Sequence, residues 1–214
     1  MKPIVFNTEM VKAILAGRKT VTRRVVKLDL GLADIDKNDK NYIYVPDRDG
    51  DYHHITKFLP SQVGDILYVK ETWCFGEDTC SIMFEPEPFP KDVLYKADFG
   101  YLENGVVKWK SSTHMPKEIS RIFLKVTNVR VERLQDITEY EVFAEGLEWF
   151  NDRCSDENWK PSYHDPDSGG TPQMRKGFEN LWNSTIKKKD LKRYGWDANP
   201  YVWVIEFERV NNYE

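Results

Sequence analysis

The sequence is poor in several things. Cysteine is scarce: Cys74, Cys80 and Cys154 are an odd, scattered set with no C-x-x-C pair. That excludes a disulfide framework and points to a reducing compartment. No apolar run approaches the roughly 18 residues that cross a bilayer. The first residues, MKPIVFNTEM, lack the apolar core of a signal peptide. A cytoplasmic protein without a membrane partner is expected. Histidine is also rare: His53 and His54 are adjacent, and His114 and His164 fall in expected loops. There is no H-x-x-x-H or Cys/His ligand spacing, so neither a metal nor a cofactor is expected. The G-x-G-x-x-G, Walker and G-x-S-x-G signatures are missing as well. Nor is positive charge in excess, with 31 Lys and Arg against 35 Asp and Glu and a net charge of −4. That argues against a protein that coats duplex nucleic acid. It leaves room for a local basic groove or a pocket for one nucleotide.

What is present is an ordinary globular composition, 40% apolar and 14% aromatic. A chain of 214 residues can bury roughly 70% of its unfolded surface. NTEMVKAILAG predicts a short helix capped by Asn7 or Thr8 and ended by Gly17. The β-branched KTVTRRVV predicts a strand. Residues 28–62 read as a polar excursion carrying the strand NYIYV. VGDILYVKETW is a turn and a strand whose alternation puts Leu67, Val69, Glu71 and Trp73 on one face. Residues 74–118 are a second irregular region, with VLYKAD as a strand. ISRIFLKVTNVRVERL is one bent strand or two. In ITEYEVFAEG, Thr138 and Glu141 are spaced for a capping box and Gly146 for a helix end. Residues 148–172 read as a loop, RKGFENLWNSTIKKK as a helix and YVWVIEFERV as a closing strand. About six strands and three helices, without regular β-α alternation, predict an α+β fold built on a small mixed or antiparallel barrel.

Three constellations stand out. In GRKTVTRR, residues 17–24, Arg18, Lys19, Arg23 and Arg24 surround Thr20 and Thr22. Residues 1–27 carry seven Lys and Arg against Glu9 alone. Closely spaced guanidinium, ammonium and hydroxyl groups suit an anion or nucleotide. The same cations also suit a strand edge that resists aggregation. Glu71 falls on an apolar face, where a carboxylate must be paired or protonated. The opening cations are its candidate partners, unless it reaches water at the strand end. Glu145 ends a helix, where the helix dipole disfavours negative charge, a setting suited to proton transfer. Trp73, Trp109 and Trp159 are core candidates that could instead stack on a base.

The blocks ILAGRKTVTRR, GDILYVKETW, RIFLKVTNVRVERLQDITEYEVFAEGL and YVWVIEFERV together resemble the ASCH domain family, in its long phage or prophage form. The order and spacing of four blocks, over about half the chain, carry the resemblance. It implies a PUA-like β-barrel over residues 1–214 as a single domain, with insertions at about 28–62, 74–118 and 148–198. It also implies RNA or a modified nucleoside as partner. In amidohydrolase members the catalytic group is a Lys, a Thr three residues on, and a Glu in the later short helix. These match Lys19, Thr22 and Glu145, with Thr22 as nucleophile, Lys19 as its activator and Glu145 handling protons. Arg18, Thr20, Arg23, Arg24, Glu71 and Trp73 would then contact the nucleoside or RNA. In a regular strand Lys19 and Thr22 face opposite ways, so their convergence needs a turn or bulge at Arg18–Thr20. Four activities are compatible with these residues. They are binding of RNA or a modified nucleoside in a pocket floored by residues 18–24, deacetylation of 4-acetylcytidine, RNA cleavage, and binding of a host protein by a phage accessory factor.

Overall fold

A computed structural model describes residues 1–28, 33–35, 43–75, 93–99, 107–147 and 171–210, with side chains from Met174 in the last segment. The expected loop at 148–172 lies almost wholly outside these residues, as do Cys80, Cys154, Trp159 and His164. The fold is α+β. In chain order the elements are β1 (Lys2–Val5), α1 (Thr8–Leu15), β2 (Val21–Val25), β3 (Asp34–Ile35), β4 (Ile43–Pro46), β5 (Tyr52–His54), β6 (Ile66–Lys70), β7 (Trp73–Phe75) and β8 (Val93–Tyr95). There follow α2 (Lys96–Phe99), β9 (Phe123–Arg133), α3 (Glu139–Ala144), α4 (Thr171–Thr185), α5 (Leu191–Tyr194) and β10 (Tyr201–Val210). One mixed sheet has the order β1-β6-β9-β10-β2. β1 runs parallel to β6, β6 antiparallel to β9, and β10 antiparallel to β2. No closed barrel is found among the described residues. Nor, among them, is any helix long and apolar enough to cross a membrane.

The chain forms two compact units. One is Met1–Arg18, Gly64–Val126 and Phe207–Glu214; the other is Lys19–Val63 and Thr127–Glu206. In the first, Asn7 caps α1 by accepting the Met10 N–H at 2.8 Å, and Val11, Ala13 and Ile14 are buried. β6 alternates as expected, with Leu67 and Val69 buried. The strand stops at Lys70, yet the buried alternation continues through Glu71 and Trp73.

The second unit owes its core to α4 and the closing strand. Phe178 and Trp182 pack with Trp196, Leu134, Ile137 and Val142 against Val21, Val202 and Val204. Each such side chain contributes about 1.5–3 kcal/mol by leaving water. Phe178 meets the Trp196 ring edge-on at 6.1 Å. The polar excursion is more regular than expected, because β3, β4 and β5 form a small antiparallel sheet. Within that sheet His53 sits on β5 and pairs with Asp47 at 2.8 Å. The capping box of α3 is present: Thr138 Oγ1 accepts the Glu141 N–H while the Glu141 carboxylate accepts the Thr138 N–H.

Candidate functional site

The end of α1 governs how the GRKTVTRR segment begins. Gly17 has φ +72°, a left-handed conformation that glycine adopts without a Cβ penalty. Around it the Gly17 N–H donates to Ile14 O and the Arg18 N–H to Ala13 O, which satisfies two helix-end carbonyls and turns the chain. The strand expected from Lys19 onward begins only at Val21. Lys19 and Thr20 precede it and are spent on the other short helix. The Thr20 N–H donates to Ala144 O at 2.9 Å, and Lys19 Nζ donates to Glu145 O at 2.9 Å. Helix ends leave carbonyls without partners, and residues 19–20 supply those partners to α3.

Lys19 Nζ makes two more hydrogen bonds, to Val21 O at 2.8 Å and to Glu145 Oε2 at 2.6 Å. An ammonium has three protons, so these acceptors use all of them. Its side chain is 0% exposed and that of Glu145 4%. Burial pushes the Lys19 ammonium below its ordinary pKa, Glu145 pulls against that shift, and Arg24 and Arg23 add to it. The ammonium also lies at the C-terminus of α3, where a cation offsets the unfavourable placement of the Glu145 carboxylate.

The second oxygen of Glu145 leads into a buried charge network. Arg23 Nη1 donates to Glu145 Oε1 at 3.3 Å, and Arg23 Nη2 lies 3.2 Å from Glu141 and 3.5 Å from Glu132. Arg130 forks onto Glu132, Glu141 and Glu206. Burial works against the Glu141 carboxylate, but the Thr138 N–H, Arg23, the Thr138 hydroxyl and Arg130 together hold its pKa below the ordinary range. Arg24 is partly buried; burial lowers its pKa and Glu145 opposes the shift.

Lys19 and Glu145 are thus in direct contact. Thr22 is buried at 3% exposure. It sits one residue before Arg23 in a regular strand and therefore projects from the opposite face. After the turn at residues 17–18, Lys19 reaches Glu145 at the end of α3. Thr20 is exposed.

Arg18, Glu71 and Trp73 belong to the other unit. The partner expected for Glu71, a cation of the opening stretch, is corrected by the structure. Arg121 binds it bidentately, with Nε to Oε1 at 2.9 Å and Nη2 to Oε2 at 3.0 Å. Arg121 also pairs with Asp98 and stacks on the Tyr95 ring at 3.9 Å. Burial raises the Glu71 pKa and Arg121 opposes it. The alternative of a solvent-exposed Glu71 is corrected too, since it is 1% exposed. Trp73, a candidate stacking surface, is 5% exposed; its ring meets Phe75 edge-on at 5.0 Å and Lys110 Nζ at 5.1 Å.

Four further charged residues complete the network without any motif that marks them as site residues: Arg130, Glu132, Glu141 and Glu206. A signal existed for two of them. Arg130 and Glu132 are spaced i, i+2 on one strand and so share a face. No protein-family model, curated protein or solved structure matches the chain.

Proposed function

We propose that this chain is an ASCH-type, PUA-like protein that binds RNA or a modified nucleoside on the unit carrying residues 19–24, with Lys19 and Glu145 as its proton-handling pair. The observation that carries this reading is their contact. The resemblance pairs two residues 126 positions apart, and Lys19 Nζ lies 2.6 Å from Glu145 Oε2. Hydrolysis of an acylated amine needs one group to take a proton from the attacking oxygen and another to protonate the leaving nitrogen. A carboxylate beside an ammonium of lowered pKa offers both within one pair. Both side chains are closed to water, so a substrate reaches them only when a neighbouring side chain moves aside.

The test is acetate release from 4-acetylcytidine, with nucleoside binding followed by calorimetry. Release is expected from the wild type and lost in Lys19→Ala and Glu145→Gln. Activity that survives Lys19→Ala removes the pair from the reaction. Full activity in Thr22→Ala excludes a covalent role for that hydroxyl, in keeping with its place on the opposite strand face.

A second reading has its own support in the three protein acceptors that use up the Lys19 protons. In that reading the pair only ties β2 to the end of α3. Lys19→Met then lowers stability and leaves nucleoside affinity unchanged.

A further inference from the structure

Two pairs of arginines in the second unit contrast with each other. Arg23 and Arg130 are ringed by carboxylates. Arg133 and Arg175 are exposed, and among the described residues neither pairs with a carboxylate. Both are nonetheless held in place. Arg133 Nη1 donates to Asn199 O at 3.0 Å, and its guanidinium lies 3.8 Å from the Tyr201 ring centre. Arg175 Nη2 donates to Gln135 O, and its guanidinium lies 5.4 Å from the Trp196 ring. One set of hydrogen bonds connects the two anchors: the Gln135 N–H donates to Asn199 Oδ1 and Gln135 Nε2 donates to Trp196 O. In a chain of net charge −4, two oriented guanidiniums with donors to spare are placed for an anion rather than for the protein's own carboxylates.

Arg175 also lines a cleft of about 540 Å³ with Ile137, Thr138, Glu139, Tyr140 and Val142. Its floor is apolar, since Ile137 and Val142 are 3% and 1% exposed. On its rim the Tyr140 side chain is 72% exposed, the most exposed large apolar side chain among the described residues. The capping box already occupies the Thr138 and Glu141 N–H groups, so the anion-binding donors here are the arginines. Glu139 is the one carboxylate among the described lining residues, which favours a ligand that offers base donors as well as phosphate acceptors. An exposed aromatic ring in one cleft with a pre-oriented arginine, Arg175, and with Arg133 linked to it through Gln135, is the combination that holds single-stranded nucleic acid, with bases stacked and backbone neutralised.

We propose that this cleft and the Arg133–Arg175 edge form a second site, distinct from the Lys19–Glu145 pair, that binds single-stranded RNA with Tyr140 stacking on a base. The inference rests on the RNA-binding reading above and places the strand on the outer face of α3 and the neighbouring α4.

The test is fluorescence anisotropy of a short labelled single-stranded oligoribonucleotide with the full-length protein across a salt series, each variant being checked for folding by circular dichroism. Tyr140→Ala is expected to bind about 5- to 150-fold more weakly with the salt slope unchanged, and Tyr140→Phe to bind like the wild type. Arg133→Ala and Arg175→Ala should each reduce the slope of log K against log salt by about 0.7. An unchanged slope in both folded arginine variants, together with unchanged affinity in Tyr140→Ala, overturns the site. Failure of the wild type to bind the oligonucleotide also overturns it, even if a free nucleoside still binds and supports the Lys19–Glu145 reading. RNA binding that depends on these three residues, without nucleoside binding or acetate release, upholds this site and removes the other.

Discussion

Replacing Lys19 by Met is the sharpest test of what the buried pair does for the fold. Methionine keeps most of the lysine stem, so the change removes charge and hydrogen bonds with little loss of volume. Three bonds of 2.6–2.9 Å disappear from a side chain that is 0% exposed. Removing one partner of a buried ion pair costs about 3–5 kcal/mol, because the other charge is left uncompensated. Here Glu145 keeps Arg23 at 3.3 Å, which argues for the lower end, about 3 kcal/mol. For a chain of this length that lowers the melting temperature by about 6–12 °C. The assay is thermal unfolding followed by circular dichroism, for Lys19→Met, Glu145→Gln and the double variant. In the double variant no carboxylate is stranded, so it should be more stable than the sum of the single losses by about 0.5–3 kcal/mol. A Lys19→Met protein that melts with the wild type, or strictly additive losses, would refute the reasoning that the pair is tightly coupled.

Two further outcomes follow from neighbouring features. Burial already raises the Glu71 pKa and Arg121 restrains the rise, so Arg121→Met raises it further. A raised folded pKa contributes stability below the unfolded value and loses it as pH climbs through the folded value. Arg121→Met should therefore show a urea midpoint that falls as the pH climbs above the ordinary carboxylate range, more steeply than the wild type's, and a parallel pH dependence counts against the assignment. Gly195 has ordinary backbone angles, but a Cβ there would lie 2.6 Å from Leu191 O and 3.2 Å from Asn183 Oδ1. Gly195→Ala should cost about 1–3 kcal/mol by overpacking, read as a lower melting temperature. Gly17→Ala, whose Cβ meets nothing within 4 Å, is limited to a left-handed strain of about 1–2 kcal/mol, and an unshifted Gly195→Ala contradicts the packing argument.

Local signals were the legible ones. Asn7 as a cap, Gly17 and Gly146 as left-handed helix ends, and the Thr138–Glu141 box all lie within one or two turns of the residues they serve. The alternation of Leu67, Val69, Glu71 and Trp73 was readable too, and its burial survives the end of β6. The strand begins at Val21, two residues later than the KTVTRRVV pattern implies. β-Branched character at Thr20–Val26 says nothing of a helix end that claims Lys19 and Thr20 for its own carbonyls.

Partner choice was the illegible part. Composition and spacing marked Glu71 as a carboxylate in need of a cation, but not which of many cations would arrive. Arg121, 50 residues on, reaches it because β6 and β9 are antiparallel neighbours. The same holds for Arg23 with Glu145, 122 residues apart, and for Arg130 with Glu206. By itself the sequence determined the caps, the turns, the apolar faces and the need to neutralise each buried charge, because those depend on period and on solvation. Only the tertiary structure decided which opposite charges meet, because an ion pair acts over a few ångströms and long-range strand pairing sets which residues come that close.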